Sequence, residues 1–230
     1  QACSAFRQLA PAFFVLGRVK MNKEQFLWRR NSRQIYSFAD SLPLCRKLLD
    51  GGARIIQLRE KHLEDRAFRQ LASEMQELLR SYPEPTMFVV NDRVEIAFDI
   101  GADGLHVGQD DYNYRRLIAE APPGMSIGVS VGNADEARDA ERAGADYVGA
   151  GAVFPTISKD DARELGLKGL REVVAAVSLP VVAIGGITLG NVAQVLEAGA
   201  DYVAVISDIN QAADVGERIR QFKGRLQSEY

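Results

Sequence analysis

The sequence predicts a single (β/α)8 TIM barrel with an N-terminal extension, on two observations: a phrase that recurs along the chain, and the strand-like runs that fall between its copies. The phrase reads GGARIIQL (51–58), IGADGLHVG (100–108), AGADYVGAG (143–151) and AGADYVAVI (198–206). In each copy a helical pattern stops at a Gly-Ala pair, beginning at Gly52, Gly101, Gly144 or Gly199. Glycine there supplies the left-handed residue that closes a helix, and the apolar run that follows suits a parallel strand buried on both faces. The copies are far enough apart to hold two βα units each, so a second strand is expected between them.

Those intervening strands are present. Gln34–Phe38 (QIYSF) opens the series before the first copy, and Met87–Val90 (MFVV), Ser126–Val129 (SIGV) and Val181–Ile184 (VVAI) fill the gaps. Helical periodicity occupies the intervals, at Ala67–Leu79, Ala134–Ala143, Leu170–Val177 and Asn191–Ala198. Eight alternating units in a chain of 230 residues fit a closed barrel better than a doubly wound open sheet. Residues 34–230 are therefore expected to form the barrel domain, with residues 1–33 outside it. The chain opens on Gln1, and Met21 offers a second start, so residues 1–20 read as an upstream extension or a processed leader.

Composition narrows the function classes. A formal charge of -3 supplies no basic field for nucleic acid, which needs a surplus of Lys and Arg on one face. The apolar run LAPAFFVLG (9–17) is too short to span a bilayer and lacks the pattern of a signal peptide. Cys3 and Cys45 make no metal or redox spacing and read as ordinary thiols of a reducing compartment, which points to the cytoplasm.

A barrel carries its chemistry where strands end and the following loops begin. The second strand ends in Gln57-Leu58-Arg59-Glu60-Lys61. Side chains alternate along a strand, so if Ile56 and Leu58 face the helices, Gln57 and Arg59 face the barrel axis. Inward cations at the mouth of a barrel suit an anionic ligand; a solvated strand end is the alternative.

The third strand ends in Asn91-Asp92-Arg93 and the fourth in His106-Val107-Gly108-Gln109-Asp110-Asp111. Asp92 with Asp110 or Asp111 suits Mg²⁺, which prefers oxygen ligands and shares its sphere with phosphates. Helix capping is the competing use for each. His106 faces inward by parity, either toward a ligand or as a hydrogen-bonded core residue. Strand five ends at Ser130, and strand six runs into a loop holding Thr156, Ser158 and Lys159, hydroxyls and a cation of the kind that phosphate oxygens accept from. Gly185-Gly186 after strand seven and Ile206-Ser207 after strand eight occupy the usual phosphate position of this barrel.

Taken in order, QLREK, ND, HVGQDD, GVS, VFPTxSK and AIGGI closely resemble the motifs of the thiamine-phosphate synthases, over about residues 33–222. The resemblance implies a transferase of thiamine biosynthesis. It would join 4-amino-2-methyl-5-hydroxymethylpyrimidine diphosphate to thiazole phosphate with Mg²⁺, giving thiamine phosphate and pyrophosphate. By that resemblance Gln57, Leu58, Arg59, Glu60, Lys61, Asn91 and Lys159 hold the pyrimidine diphosphate, Asp92 and Asp111 the metal, and Ser130 the pyrimidine end. Thr156, Ile157, Ser158, Gly186, Ile206 and Ser207 hold the thiazole phosphate, and Arg59, Lys61, Lys159 and Ser130 carry the catalysis.

Its partners would be these small molecules, with no nucleic acid or membrane and with a homo-oligomer left open. Gly132 stands where relatives often have histidine; the related thiazole tautomerases use a histidine in that region, so Gly132 argues against their activity. Ser158 replaces a commoner threonine. The segment through Trp28-Arg29-Arg30 has no counterpart in the family pattern. A tautomerase-like or non-catalytic paralogue is the rival reading.

Overall fold

A computed structural model describes residues 29–109, 113–156 and 164–228. Eight parallel strands close into a barrel in chain order. They are β1 (Gln34–Ala39), β2 (Ile55–Leu58), β3 (Met87–Asn91), β4 (Gly104–Val107), β5 (Ser126–Val131), β6 (Tyr147–Ala150), β7 (Val181–Ile184) and β8 (Tyr202–Val205), and β8 pairs back onto β1. Helices α1 (Leu42–Asp50), α2 (Asp65–Ser81), α3 (Val94–Ile100), α4 (Tyr114–Glu120), α5 (Ala134–Ala143), α6 (Gly166–Ala176) and α7 (Val192–Glu197) follow the first seven strands in turn. A short α8 (Ser207–Asn210) and then α9 (Val215–Gln227) follow the last. The expected barrel is present, with α5 at its expected bounds and β5 running one residue past Ser130.

Helix formation follows local chemistry. Along α2 the buried Phe68, Ala72, Met75 and Leu79 recur at helical spacing and lie against the sheet. α5 begins with a reciprocal cap: Asn133 Oδ1 accepts the Glu136 N–H at 2.9 Å, and the Glu136 carboxylate accepts the Gly132 N–H at 2.6 Å. It ends at Gly144, whose φ of 93° is the left-handed turn that the repeated phrase predicts; Gly52, Gly101 and Gly199 adopt the same region. Among the described residues, no helix is long and apolar enough to cross a membrane.

Strand parity divides the interior in two. Ile56, Leu58, Phe88, Val90, Leu105, Val107, Ile127, Val129 and Val148 pack between sheet and helices. Tyr36, Phe38, Ile55, Met87, Val89, Tyr147, Val182, Tyr202 and Ala204 fill the barrel itself. Cys45 belongs to the first layer, where burial pushes its thiol up to about 12, so it is a packing residue; Cys3 lies outside the described residues.

The repeated phrase has a second structural meaning. Its Asp immediately precedes an even-numbered strand and ties down the start of the strand before. Asp103 accepts the Phe88 N–H at 2.9 Å, Asp146 the Ile127 N–H at 2.7 Å and Asp201 the Val181 N–H at 2.8 Å. Each carboxylate thereby satisfies a backbone donor at the N-terminal end of the barrel. In the first copy Arg54 takes this position: its carbonyl accepts the Met87 N–H at 2.7 Å and its guanidinium pairs with Glu84. Residues 29–31 lie across the same end, with the Arg29 N–H donated to the Tyr202 hydroxyl and the Asn31 N–H to Asp201.

Candidate active site

The opposite, C-terminal end gathers those residues singled out by the sequence that the structure describes. In β2, Ile56 and Leu58 do face the helices, and Gln57, 2% exposed, points into the barrel. Arg59 follows at the rim, its N–H donated to Ala39 O at 3.0 Å. Among the described residues, the side chains of Arg59 and Lys61 have neither a hydrogen-bond nor an ion-pair partner. Two neighbouring cations with no ion-pair partner among the described residues are available to an anion.

Two of the expected binding residues are turned elsewhere. Leu58 is fully buried in the helix-facing core, because strand parity sends it away from the axis; only its backbone faces the rim. The Glu60 carboxylate folds back onto its own loop and accepts the N–H groups of His62 and Leu63. These bonds hold the turn that carries Arg59 and Lys61.

β3 presents Asn91 inward, in the parity of Val89, with Nδ2 donated to His106 O at 3.4 Å. Asp92 is exposed, and its φ of 58° turns the chain sharply off the strand. The N-cap residue of α3 is Arg93, whose side chain makes no cap bond. Among the described residues there is no cluster of three or more His, Cys, Asp or Glu side chains that would hold a metal. Asp110 and Asp111 lie outside the described residues, as do Ile157, Ser158 and Lys159.

In β4 and β5, His106 and Ser130 meet: His106 Nε2 and Ser130 Oγ are 2.9 Å apart. The other ring nitrogen, Nδ1, is 3.1 Å from the Tyr147 hydroxyl. Gln109 donates to Ser130 O at 2.8 Å and fixes the strand end. His106 is thus hydrogen-bonded within the barrel, and its partner Ser130 is an expected ligand group.

Past β7, the Gly-Gly pair has two reasons to lack side chains. Gly185 and Gly186 have φ of 103° and 62°, and a Cβ on Gly186 would lie 2.5 Å from Pro155 O. The loops after β6 and β7 therefore touch backbone to backbone, a close approach beyond the anion-binding reason predicted for the pair. Asn191 donates to Gly186 O, and Asp208 accepts the Leu189 N–H, so the loops after β7 and β8 hold together. Ile206 is the N-cap residue of α8 and Ser207 its first residue; Thr156 lies in the loop after β6.

Sequence reasoning gave no role to Tyr36, Tyr147 and Gln109. A signal existed for Tyr147: inward parity sets a phenol inside an apolar barrel, where it must find partners. The repeat concealed it, because Tyr202 holds the same place in its own copy of the phrase and bonds to Arg29 at the other end of the barrel.

The profile of the thiamine monophosphate synthase family matches residues 32–209. The chain is 40% identical to the thiamine-phosphate synthase of Pyrococcus furiosus over 199 residues, covering 84% of this chain and 95% of that protein. It is 48% identical to the enzyme of the same name from Moorella thermoacetica over 187 residues, covering 80% and 87%. In structure it is similar to the thiamine phosphate pyrophosphorylase of Pyrococcus furiosus, with a TM-score of 0.79 at 39% identity over 86% of this chain and 97% of that one. With the described part of its motifs at the C-terminal rim of a (β/α)8 barrel, this chain belongs to the thiamine monophosphate synthase family.

Proposed function

We propose that the chain is a transferase that joins 4-amino-2-methyl-5-hydroxymethylpyrimidine diphosphate to thiazole phosphate, releasing pyrophosphate and thiamine phosphate. The observation that carries this reading, in a member of this family, is the pair Arg59 and Lys61, whose side chains have no partner among the described residues, with Asn91 and Asp92 at the neighbouring strand end. A diphosphate supplies the negative charge those cations lack, and the planar Arg59 fork suits two of its oxygens at once.

Asp92 offers an exposed carboxylate and Asp111 follows the adjacent β4, hard oxygen donors of the kind Mg²⁺ selects. Bound there, Mg²⁺ would neutralise charge on the diphosphate. Arg59, Lys61 and Lys159 bind the diphosphate and stabilise the charge that builds on it as the C–O bond breaks and the electron pair leaves with pyrophosphate. The electron-rich aminopyrimidine stabilises the cationic carbon left behind. The thiazole nitrogen, already neutral and nucleophilic, closes the C–N bond with its lone pair, so no protein nucleophile is required. Gln57, Asn91 and Ser130 orient the pyrimidine, and Leu58 contributes its backbone.

Thr156, Ile157, Ser158, Gly186, Ile206 and Ser207 hold the thiazole phosphate. Positioning and electrostatics suffice for such a reaction. We assign the barrel domain to residues 34–230, acting in the cytoplasm on small molecules, with residues 1–33 as an extension. Gly132 supports synthase over tautomerase activity. Purified protein mixed with both phosphorylated precursors and Mg²⁺ is expected to yield thiamine phosphate and pyrophosphate by chromatography, and no product after chelation. Equal rates with and without chelator would remove the metal assignment, and no product under any condition would remove the reading.

A further inference from the structure

Five polar side chains on five strands form one hydrogen-bonded run through the barrel. Gln57 Nε2 donates to the Tyr36 hydroxyl at 2.8 Å, the Tyr36 and Tyr147 hydroxyls share a bond of 2.9 Å, Tyr147 meets His106 Nδ1 at 3.1 Å, and His106 Nε2 meets Ser130 Oγ at 2.9 Å. Burial raises both tyrosines well above the usual phenol range, so each keeps its proton at neutral pH.

Counting protons leaves two polarities. In one, each group accepts from its predecessor and donates to its successor: Gln57 to Tyr36, Tyr36 to Tyr147, Tyr147 to bare Nδ1, and the Nε2–H of neutral His106 to Ser130 Oγ. In the other, His106 Nδ1–H donates to Tyr147 and Tyr147 to Tyr36, so two donors converge on the Tyr36 oxygen and the run reverses there. An unbroken head-to-tail run polarises each bond in the same sense and is the stronger arrangement.

The barrel is also cut to seat the two rings. A Cβ at Gly128 would lie 2.1 Å from Tyr147 Cζ, and one at Gly149 would lie 2.9 Å from His106 Cε1. Those two glycines, on β5 and β6, leave the space in which the imidazole and phenol meet, their centroids 5.4 Å apart.

We propose that Tyr147, itself oriented by Tyr36, is a positioning residue that holds His106 as the Nε2–H tautomer. Ser130 then accepts from His106 and its hydroxyl proton is free to be donated to an acceptor on the substrate, such as a ring nitrogen. Gln57 and Ser130, on opposite walls of the barrel, are set by one continuous device. The role in turnover rests on the substrate reading above; the tautomer does not.

The chain has two histidines, His62 and His106, so ring ¹⁵N resonances are assigned with one His62→Gln variant. Two-bond ¹⁵N–¹H correlation of the ¹⁵N-histidine-labelled full chain is expected to find His106 neutral, with the proton on Nε2. Tyr147→Phe removes the donor to Nδ1 and should mix the tautomers, with kcat falling about tenfold, the scale of one neutral hydrogen bond, and KM for the diphosphate substrate changing less. A wild-type His106 carrying its proton on Nδ1 would overturn the proposal, as would a folded Tyr147→Phe variant that keeps the wild-type tautomer. The wild-type spectrum decides the tautomer even where the variant fails to fold. A wild-type protein inactive with both substrates but showing Nε2–H would support the relay and sink only the transferase reading.

Discussion

The two ends of this barrel use the same residue types to opposite purposes. At the N-terminal end, Asp103, Asp146 and Asp201 turn their carboxylates onto backbone N–H groups of the neighbouring strands, and Arg54 pairs with Glu84. At the C-terminal end, Asp92 stands exposed on a left-handed backbone, and Arg59 and Lys61 have no protein partner among the described residues. Charges satisfied within the chain hold structure, whereas the cations Arg59 and Lys61, without a side-chain partner among the described residues, are available to a ligand. An open volume does not draw this distinction, since a cavity of about 450 Å³ opens at the N-terminal end beside Asn31, Arg33, Arg54 and Lys223. There Arg54 is already engaged by Glu84 and Lys223 by Gly52 O.

The largest expected effect lies at the open end. Arg59→Gln and Lys159→Gln should each lower kcat about 10²–10³-fold, by analogy with the loss of an oxyanion donor, while KM rises less. Thermal unfolding of Arg59→Gln should stay near wild type, because the Arg59 side chain has no partner among the described residues. Steady-state kinetics with thiazole phosphate saturating checks this, and Glu60→Gln, whose carbonyl oxygen still accepts the turn's N–H groups, should stay within a few-fold. Wild-type kcat in both cation variants would erase the contrast between the ends.

The second effect reverses the pattern. Asp201 is fully buried, accepts the N–H groups of Val181 and Asn31, and faces Arg30 at 3.4 Å. Asp201→Ala leaves those donors unsatisfied and should cost about 3 kcal/mol, a fall in Tm of about 6–12 °C for a domain of this size. The kcat of the folded fraction should be unchanged. Calorimetry beside single-temperature kinetics checks it; a variant with normal Tm and lost activity would place Asp201 on the wrong side of the comparison.

The smallest effect sharpens the account of the closed end. Burial raises the Asp103 carboxyl above its ordinary range, against the opposing Phe88 N–H bond and Arg80. The folded chain therefore holds that proton more readily than the unfolded chain. Its stabilising contribution is complete below the unfolded value and is lost as pH rises through the folded one. The advantage of wild type over Asp103→Asn should accordingly grow on acidification from neutral pH to about pH 4, read from urea unfolding at each pH. A gap that narrows on acidification would mean that Asp103 is stabilised as the anion.

Much of the site was legible because it rests on local rules. Period-two alternation sends Gln57 inward and Leu58 outward whatever the rest of the chain does, and glycine after a helical run marks a helix end at Gly101 and Gly144 alike. The repeated Gly-Ala-Asp phrase was legible as a strand count but not as a latch. Its partners Phe88, Ile127 and Val181 belong to other strands, and the register that brings them within 3 Å exists only after neighbouring strands pair.

What the sequence determined by itself is the number and order of the βα units, the face each strand residue takes, and the family motifs at the strand ends. Each depends on spacing within a few tens of residues. Only the tertiary structure decided that Glu60 folds back onto its own turn, that Gly186 lies against Pro155, and that Tyr36 and Tyr147 join Gln57 to His106 and Ser130. Tyr36 and Tyr147 are separated by 111 positions and come from β1 and β6. Their meeting requires the sheet to close, because closure alone brings inward side chains from distant strands to the same height on one axis.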